Sequence, residues 1–450
     1  MASAATPGRA ESGPCSGLAE RVRADGVRFV LAVFVDLVGR PSAKLIPAPS
    51  IERFEKEGAS FAGHAAGALA LDQGAPDIVA MPDAGSYTPL PFIRPGLALV
   101  HCDPHVQGSP WPYAPRVILK EAVQRAAARG LSLRVGAEVE YYLLKKEQNG
   151  RLVVADPRDD APRAAYDMRG VTRMYDHVAA VSEAMNAVGW GNYANEHEDG
   201  NGQFEQNFEH SDALTTADRV ITLRYLIAAL AEQRAMTATF MPKPFGDRTG
   251  NGMHLNLSLW RGEEPAFPDS QDARGLGLSA LAYSFIAGII KHAQALQAVI
   301  APTVNSYKRN SAFTTHNGPS WAPRSANYGG NDRDLFLRVP DGDRVELRGT
   351  DGAANPYLAT AVVLAAGLDG IALDLDPGQP GAESAQARPV LPPTLLHAVE
   401  ALMADREVCG ALDAAGARTS AYFAELKRAE FFVWHGAVSE WEVDHYLTAY

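Results

Sequence analysis

Cysteine is scarce: Cys15, Cys102 and Cys409 are the only three in 450 residues. Their scattered spacing gives neither a disulfide framework nor a C-x-x-C zinc knuckle, and it suits a reducing cytoplasm. Positive charge is also in short supply. Lysine and arginine number 41 against 53 aspartates and glutamates, a formal net charge of −12. That balance excludes a general nucleic-acid or anionic-membrane surface, because those partners demand basic patches. No uninterrupted apolar run reaches the roughly 18 residues that a membrane span needs. The N-terminus "MASAATPGRAESGPCSG" lacks a continuous apolar stretch, so residues 1–17 read as a flexible tail and not a signal peptide. No G-x-x-x-x-G-K-[ST] occurs, so any nucleotide is held without a P-loop. What is present is globular: 46% apolar and 21% charged residues, ample for a large core. Small-molecule chemistry is the expectation.

Residues 18–25 predict a short helix, and "RFVLAVFVDLVGRPSAKLIP" (28–47) reads as two strands around a Gly-Arg-Pro turn. This β-rich module, residues 18–110, runs into "DPHVQGSPWPYAPR" (103–116), whose proline content suggests a linker or domain entry. A large α/β domain, residues 111–450, follows. Helical spacing marks 117–129 and 171–188, the latter with Gly189 at the C-cap, and longer helices over 212–236 and 278–300. Asn355 and Pro356 are placed as N-cap and first residue of another. The stretch 376–389 reads as a surface loop.

Four segments alternate in an unusual way. As strands, "RVGAEVEYYLLKK" projects Glu138 and Glu140 from one face, and "QFEQN" does the same with Gln203, Glu205 and Asn207. "MHLNLSLW" sets His254, Asn256 and Ser258 opposite three leucines, and "RVELR" groups Arg344, Glu346 and Arg348. One polar face alone means a half-solvated sheet. Four faces holding acids, amides, one histidine, one serine and arginines mean a cavity, with the leucine and valine faces left for the long helices to cover. Glu138, Glu140, Glu198, Glu205 and Glu346 in one cavity would repel one another unless cations neutralise them. Hard oxygen ligands with one imidazole select Mg2+ or Mn2+. Arg309, Arg333, Arg338, Arg344 and Arg348 supply forks for phosphate or carboxylate. Metals beside arginines describe phosphoryl transfer, with the substrate open. In "NEHEDGNGQFE", Glu196 and His197 stay outside the ligand set, although Glu196 alternates with Glu198; Gly200 and Gly202 are expected to turn the chain between Glu198 and Glu205. Trp260, Trp321, Tyr328 and Phe336 read as core or subunit contacts.

At these residues the chain resembles the glutamine synthetase family. The motifs "GAEVEYYL", "EDGNGQFE", "GNGMHLNLSLW", "PTVNSYKR" and "RVELRGTDGAANPYLATAVVLAAGLDGI" occur in order, and the resemblance covers about residues 30–445. It implies an α+β fold: a small β-grasp-like N-terminal domain and a large catalytic domain with a curved antiparallel sheet. It also implies a cytoplasmic homo-oligomer, expected to be a dodecamer, with active sites between subunits. The implied cofactors are two to three Mg2+ or Mn2+ ions per site, with ATP as co-substrate. By the same resemblance Glu140, Glu198 and Glu205 hold the metal nearest the amino acid, and Glu138, His254 and Glu346 the one nearest ATP. Gly250, Arg309 and Arg348 bind L-glutamate. Ser258, Asn256, Arg333, Arg338 and Arg344 face the nucleotide, with Arg333 and Arg309 as catalytic groups. The implied chemistry phosphorylates the γ-carboxylate and lets an amine displace phosphate.

Departures from the family pattern concern the amine. The family's F-D-G-S-S aspartate, which binds ammonium, is replaced by Ala62 in "SFAGHAAGA", and no acid lies between Arg309 and Asp332, where the family carries a flap glutamate. Thr249 replaces an asparagine and Asn256 a histidine, and no tyrosine occupies "LDLDPGQP", the adenylylation region of some members. "YANEHEDGNGQFEQNF" and "ATFMPKPFGDRTGNGMH" are most similar to the branch that joins methylamine to glutamate. Ammonia is the alternative amine, and a larger amine the third.

Overall fold

The computed structural model describes residues 17–148, 150–311, 314–316, 318–381 and 389–450. The expected tail, apart from Gly17, and the middle of the expected 376–389 loop lie outside these residues.

Helix α1 (Leu18–Ala24) leads into strands β1 (Phe29–Val35) and β2 (Pro41–Pro47), helix α2 (Ile51–Glu57), and strands β3 (Ala59–Phe61), β4 (Ile78–Pro82) and β5 (Leu97–Val106). The order in this seven-stranded sheet is β2-β1-β5-β4-β3, with β1 and β5 parallel. Leu18, Val22, Phe34, Phe54, Phe61 and Val100 form its own hydrophobic cluster. The proline-rich 103–116 stretch is not a linker. Residues 103–106 complete β5, and α3 (Pro115–Ala127) begins immediately after a short bridge-forming turn. Pro104 is tolerated because only its carbonyl is used, accepting the Trp111 amide at 2.7 Å.

The second sheet has eleven strands. Its spine is β6 (Ser132–Lys146), flanked by the hairpin β7 (Asn192–His197) and β8 (Gln203–Phe208), and by β9 (Met253–Arg261), β10 (Tyr328–Gly329), β11 (Leu337–Arg338) and β12 (Val345–Leu347), in the order β7-β8-β6-β9-β12-β11-β10. Every pair is antiparallel except β10 with β11. The apolar faces of β6 and β9, including Val135, Ala137, Val139, Leu255 and Leu257, join one core with helices α6 (Ala213–Glu232), α7 (Ala280–Ile300) and α9 (Pro356–Ala372). These helices start where their caps dictate: Asp212 accepts from the Leu214 and Thr215 amides, and Asn355 from those of Tyr357 and Leu358. The expected 171–188 helix is broken at Met174 into α4 (Met168–Arg173) and α5 (Tyr175–Ala187). Its first turn is tied to the β7–β8 hairpin instead: Gly170 lies so close to the His197 ring that a Cβ would approach within 2.4 Å. Helices α8 (Ser306–Ser311), α10 (Leu395–Ala404), α11 (Arg406–Leu412), α12 (Thr419–His435) and α13 (Glu440–Tyr446) complete the chain. Among the described residues no helix is long and apolar enough to cross a membrane.

Candidate active site

Strand register assembles the polar faces into rows. Directly opposed residues of antiparallel strands project to the same side, about 4.5–5.5 Å apart. Glu196 of β7 stands opposite Glu205 of β8, and Glu205 opposite Glu140 of β6. One step along, Asn207 and His254 flank Glu138. Asn256 stands opposite Glu346, and Glu346 opposite Arg338. Three carboxylates in one row would destabilise a sheet in the absence of cations.

These rows form the wall of a cavity of about 410 Å³ in which seven carboxylates (Glu138, Glu140, Glu196, Glu198, Asp199, Glu205, Glu346) meet four guanidiniums (Arg309, Arg333, Arg338, Arg348). Glu140 accepts from Gln203 Nε2 at 2.9 Å and from the Gly252 amide at 2.8 Å. Glu138 accepts from Asn256 Nδ2 at 2.8 Å and lies 3.1 Å from His254 Nδ1. Burial alone would raise Glu138, yet the His254 hydrogen bond and charge and the Asn256 bond outweigh it and hold its pKa at about 2. Glu198 and Glu205 go the other way. Burial first, then neighbouring carboxylates, pushes both well above the usual range. Glu346 is buried and grips Arg338 and Arg348, each at 2.6 Å. Arg309 donates to the Arg348 carbonyl at 3.3 Å, and Arg348 Nε to that of Arg333 at 2.9 Å.

The donor set fits hard divalent cations. Three groups of ligand atoms, each gathered within 4.8 Å, are Glu138, His254 and Glu346; Glu140, Glu205 and His254; and Glu196, Glu198 and Glu205. Beside them Asn207 Oδ1 is buried without a hydrogen-bond partner among the described residues. All ligands are carboxylate oxygens or one imidazole, the chemistry of Mg2+ or Mn2+ and not of a thiolate site.

Of the residues singled out in the sequence, Glu138, Glu140, Glu198, Glu205, Gly250, His254, Arg309, Arg333, Arg338, Glu346 and Arg348 all line this cavity. Gly250 can only be glycine there, since a Cβ would meet the Pro242 carbonyl oxygen at 2.3 Å. Between Glu198 and Glu205 the turn rests on Gly202 at φ +85° and on Gly200, where a Cβ would fall 1.9 Å from the Tyr142 hydroxyl. Three residues lie off the wall. Asn256 and Arg344 are joined to each other (Arg344 Nε to Asn256 Oδ1, 2.9 Å), and Ser258 accepts from Trp260 Nε1 at 2.9 Å. Glu196, left outside the ligand set, faces the same cavity, as its alternation with Glu198 allowed, and its pairing with Glu205 puts it there. Tyr328 and Phe336 are core, as expected, but Trp321 is 38% exposed and lines the cavity together with Tyr166, Thr249 and Asp199. Thr249 Oγ1 donates to Asp199 at 2.6 Å, and the Tyr142 hydroxyl to the Thr249 carbonyl at 2.6 Å.

The catalytic-domain profile of glutamine synthetase matches residues 112–446. The chain belongs to the glutamine synthetase family. It is 40% identical over 439 residues to the glutamine synthetase of Rhizobium leguminosarum bv. phaseoli, covering 96% of this chain and 99% of that one. It is 39% identical over 432 residues to the glutamate–methylamine ligase of Methyloversatilis universalis, covering 94% and 96%. A solved ADP complex of GmaS superposes with a TM-score of 0.90 at 42% identity, covering 96% of this chain and 100% of that one. The protein has the glutamine synthetase fold and is an ATP-dependent carbon–nitrogen ligase of a family that uses divalent metals. The acid cavity lies within its catalytic part.

Proposed function

We propose that this ligase joins methylamine to the γ-carboxylate of L-glutamate through γ-glutamyl phosphate, giving γ-glutamylmethylamide, ADP and phosphate. The observation that carries the amine choice is the loss of two acids: Ala62 stands in one family position, and no carboxylate lies between Arg309 and Asp332. An ammonium ion has only N–H groups to satisfy and needs those acceptors, whereas methylammonium has one fewer and carries a methyl that favours apolar contact. The GmaS neighbours and the methylamine ligase support this reading, and glutamine synthetases of similar identity make ammonia the alternative.

In this reading Glu138, His254 and Glu346 hold one cation, and Glu140, Glu198 and Glu205 another, with Glu196 as a further ligand. Bound Mg2+ or Mn2+ would neutralise the charge of the phosphates and the developing acyl phosphate. Gly250, Arg309 and Arg348 orient glutamate. Arg338, with Asn256, Arg344 and Ser258 behind it, serves the nucleotide side. Arg333, exposed and free of any ion pair among the described residues, stabilises the phosphoryl group in transfer. Ala62 sits on an exposed turn after β3, outside the cavity of its own chain, which supports sites shared between subunits of a cytoplasmic homo-oligomer. The exposed Trp441, Tyr446, Leu447 and Tyr450 of the C-terminal segment support assembly as well, a dodecamer being the family expectation.

The test is ADP release by the purified protein with Mg2+, ATP and glutamate over concentration series of methylamine and of ammonia. The expected result is a higher kcat/KM for methylamine. Equal or higher kcat/KM for ammonia overturns the amine assignment.

A further inference from the structure

A second hollow, of about 380 Å³, opens between the N-terminal sheet and helix α6, and the proposed reaction makes no use of it. Its floor is built around Arg116, whose side chain is 5% exposed. That guanidinium grips Asp218 at 3.0 and 2.9 Å, Asp103 at 2.7 Å and Asp83 at 2.8 Å, and the Tyr357 hydroxyl donates to Asp218 at 2.7 Å. The floor is therefore polar and preformed, with Arg116 and Lys120 offsetting all but one of the charges of Asp83, Asp103 and Asp218. The walls differ. Arg21 of α1 lies over the Tyr87 ring at 5.1 Å and donates to the Ala84 carbonyl at 2.6 Å. Arg219 of α6 lies over the Trp190 ring at 5.9 Å and donates to the Glu209 carbonyl at 3.2 Å. Each guanidinium is oriented by a ring and one backbone carbonyl. Neither has a carboxylate within 4.0 Å among the described residues, so most of their N–H donors remain for a ligand.

We propose that this hollow binds a small organic dianion held between Arg21 and Arg219, bridging the N-terminal module to α6. Dicarboxylates and phosphate esters share the required chemistry. Larger polyanions are disfavoured, because Asp83 and Asp218 also line the space. The ligand would reach the acid cavity through α6. Thr216 of that helix donates to the Val135 carbonyl of β6 at 2.8 Å, on the strand that carries Glu138 and Glu140, and Trp190 of the wall leads directly into β7.

The experiment is calorimetric titration of the full chain with succinate and, separately, with glycerol 3-phosphate, in the presence of Mg2+, ADP and glutamate so that the acid cavity is filled. Saturable binding of at least one probe is expected, weakened about tenfold in each of Arg21→Gln and Arg219→Gln. Both variants keep wild-type ligase kcat in the absence of probe, which shows that they fold. Binding of succinate alone assigns a dicarboxylate, and of glycerol 3-phosphate alone a phosphate ester. Absence of saturable binding by both probes, or binding unchanged in both variants, overturns the proposal.

Discussion

Replacing Glu205 with glutamine removes one charge from the row in which Glu196, Glu205 and Glu140 stand opposite one another. The ligand atoms of Glu196, Glu198 and Glu205 lie within 4.8 Å. At that separation two unit charges repel by about 3 kcal/mol in an effective dielectric near 20. Burial and the surrounding acids already raise Glu205 well above the ordinary carboxylate range, the signature of this repulsion. Glutamine matches the shape of glutamate, and its amide oxygen can still accept from Asn207 Nδ2, which reaches Glu205 at 2.9 Å. The metal-free variant should therefore melt above the wild type. Its Mg2+ affinity should fall by at least the roughly 10- to 100-fold typical of losing even an outer-shell partner. Thermal melts in EDTA and across a Mg2+ titration read both effects. A variant that melts below the wild type in EDTA and keeps the wild-type Mg2+ response refutes the like-charge argument and the ligand role together.

Gly200→Ala places a Cβ 1.9 Å from the Tyr142 hydroxyl, which must then abandon the Thr249 carbonyl beside Gly250. Urea unfolding should show a loss of about 1–3 kcal/mol, and steady-state kinetics a raised KM for glutamate; an unchanged KM would detach this turn from substrate binding. His292 joins α7 to Asp369 of α9 and to Asp405 beside α10, at 3.0 and 2.6 Å. Burial would lower its pKa, but the bonds to Asp405 and Asp369 outweigh it and raise the group above 6.5. A raised folded-state pKa contributes stability that is complete below the unfolded value and is lost as pH rises through the folded one. The stability gap between wild type and His292→Gln should thus be widest below pH 6.5 and shrink above it; a gap that widens toward alkaline pH would contradict the pairing.

Legibility in the sequence followed the range of the interaction. The alternation in 132–146 and 253–261 is local, with a period of two set by the pleat, and that period alone assigns Glu138, Glu140 and His254 to polar faces. The caps Asp212 and Asn355 sit next to the helices they start, and their residue types announce two helix ends. The break at Met174 has no local signal in the sequence, and the turn before it packs Gly170 on His197, a residue more than twenty positions away. Trp321 reads as core or a subunit contact because aromatics usually are, and only the tertiary structure places it on the wall of the cavity.

By itself the sequence determined the polar and apolar faces of the strands, the helix ends, the glycine-rich turn between Glu198 and Glu205, and family membership through ordered motifs. Which acids meet was decided by register between strands far apart in the chain. That register set Glu205 between Glu196 and Glu140, and left Ser258 beyond the cavity. Sheet pairing is non-local: a shift of one residue would turn every side chain of a strand to the opposite face, and only the packed apolar faces under α6, α7 and α9 fix it. The same holds for Arg116, which gathers Asp83, Asp103 and Asp218 from three separate segments that nothing in their local sequence connects.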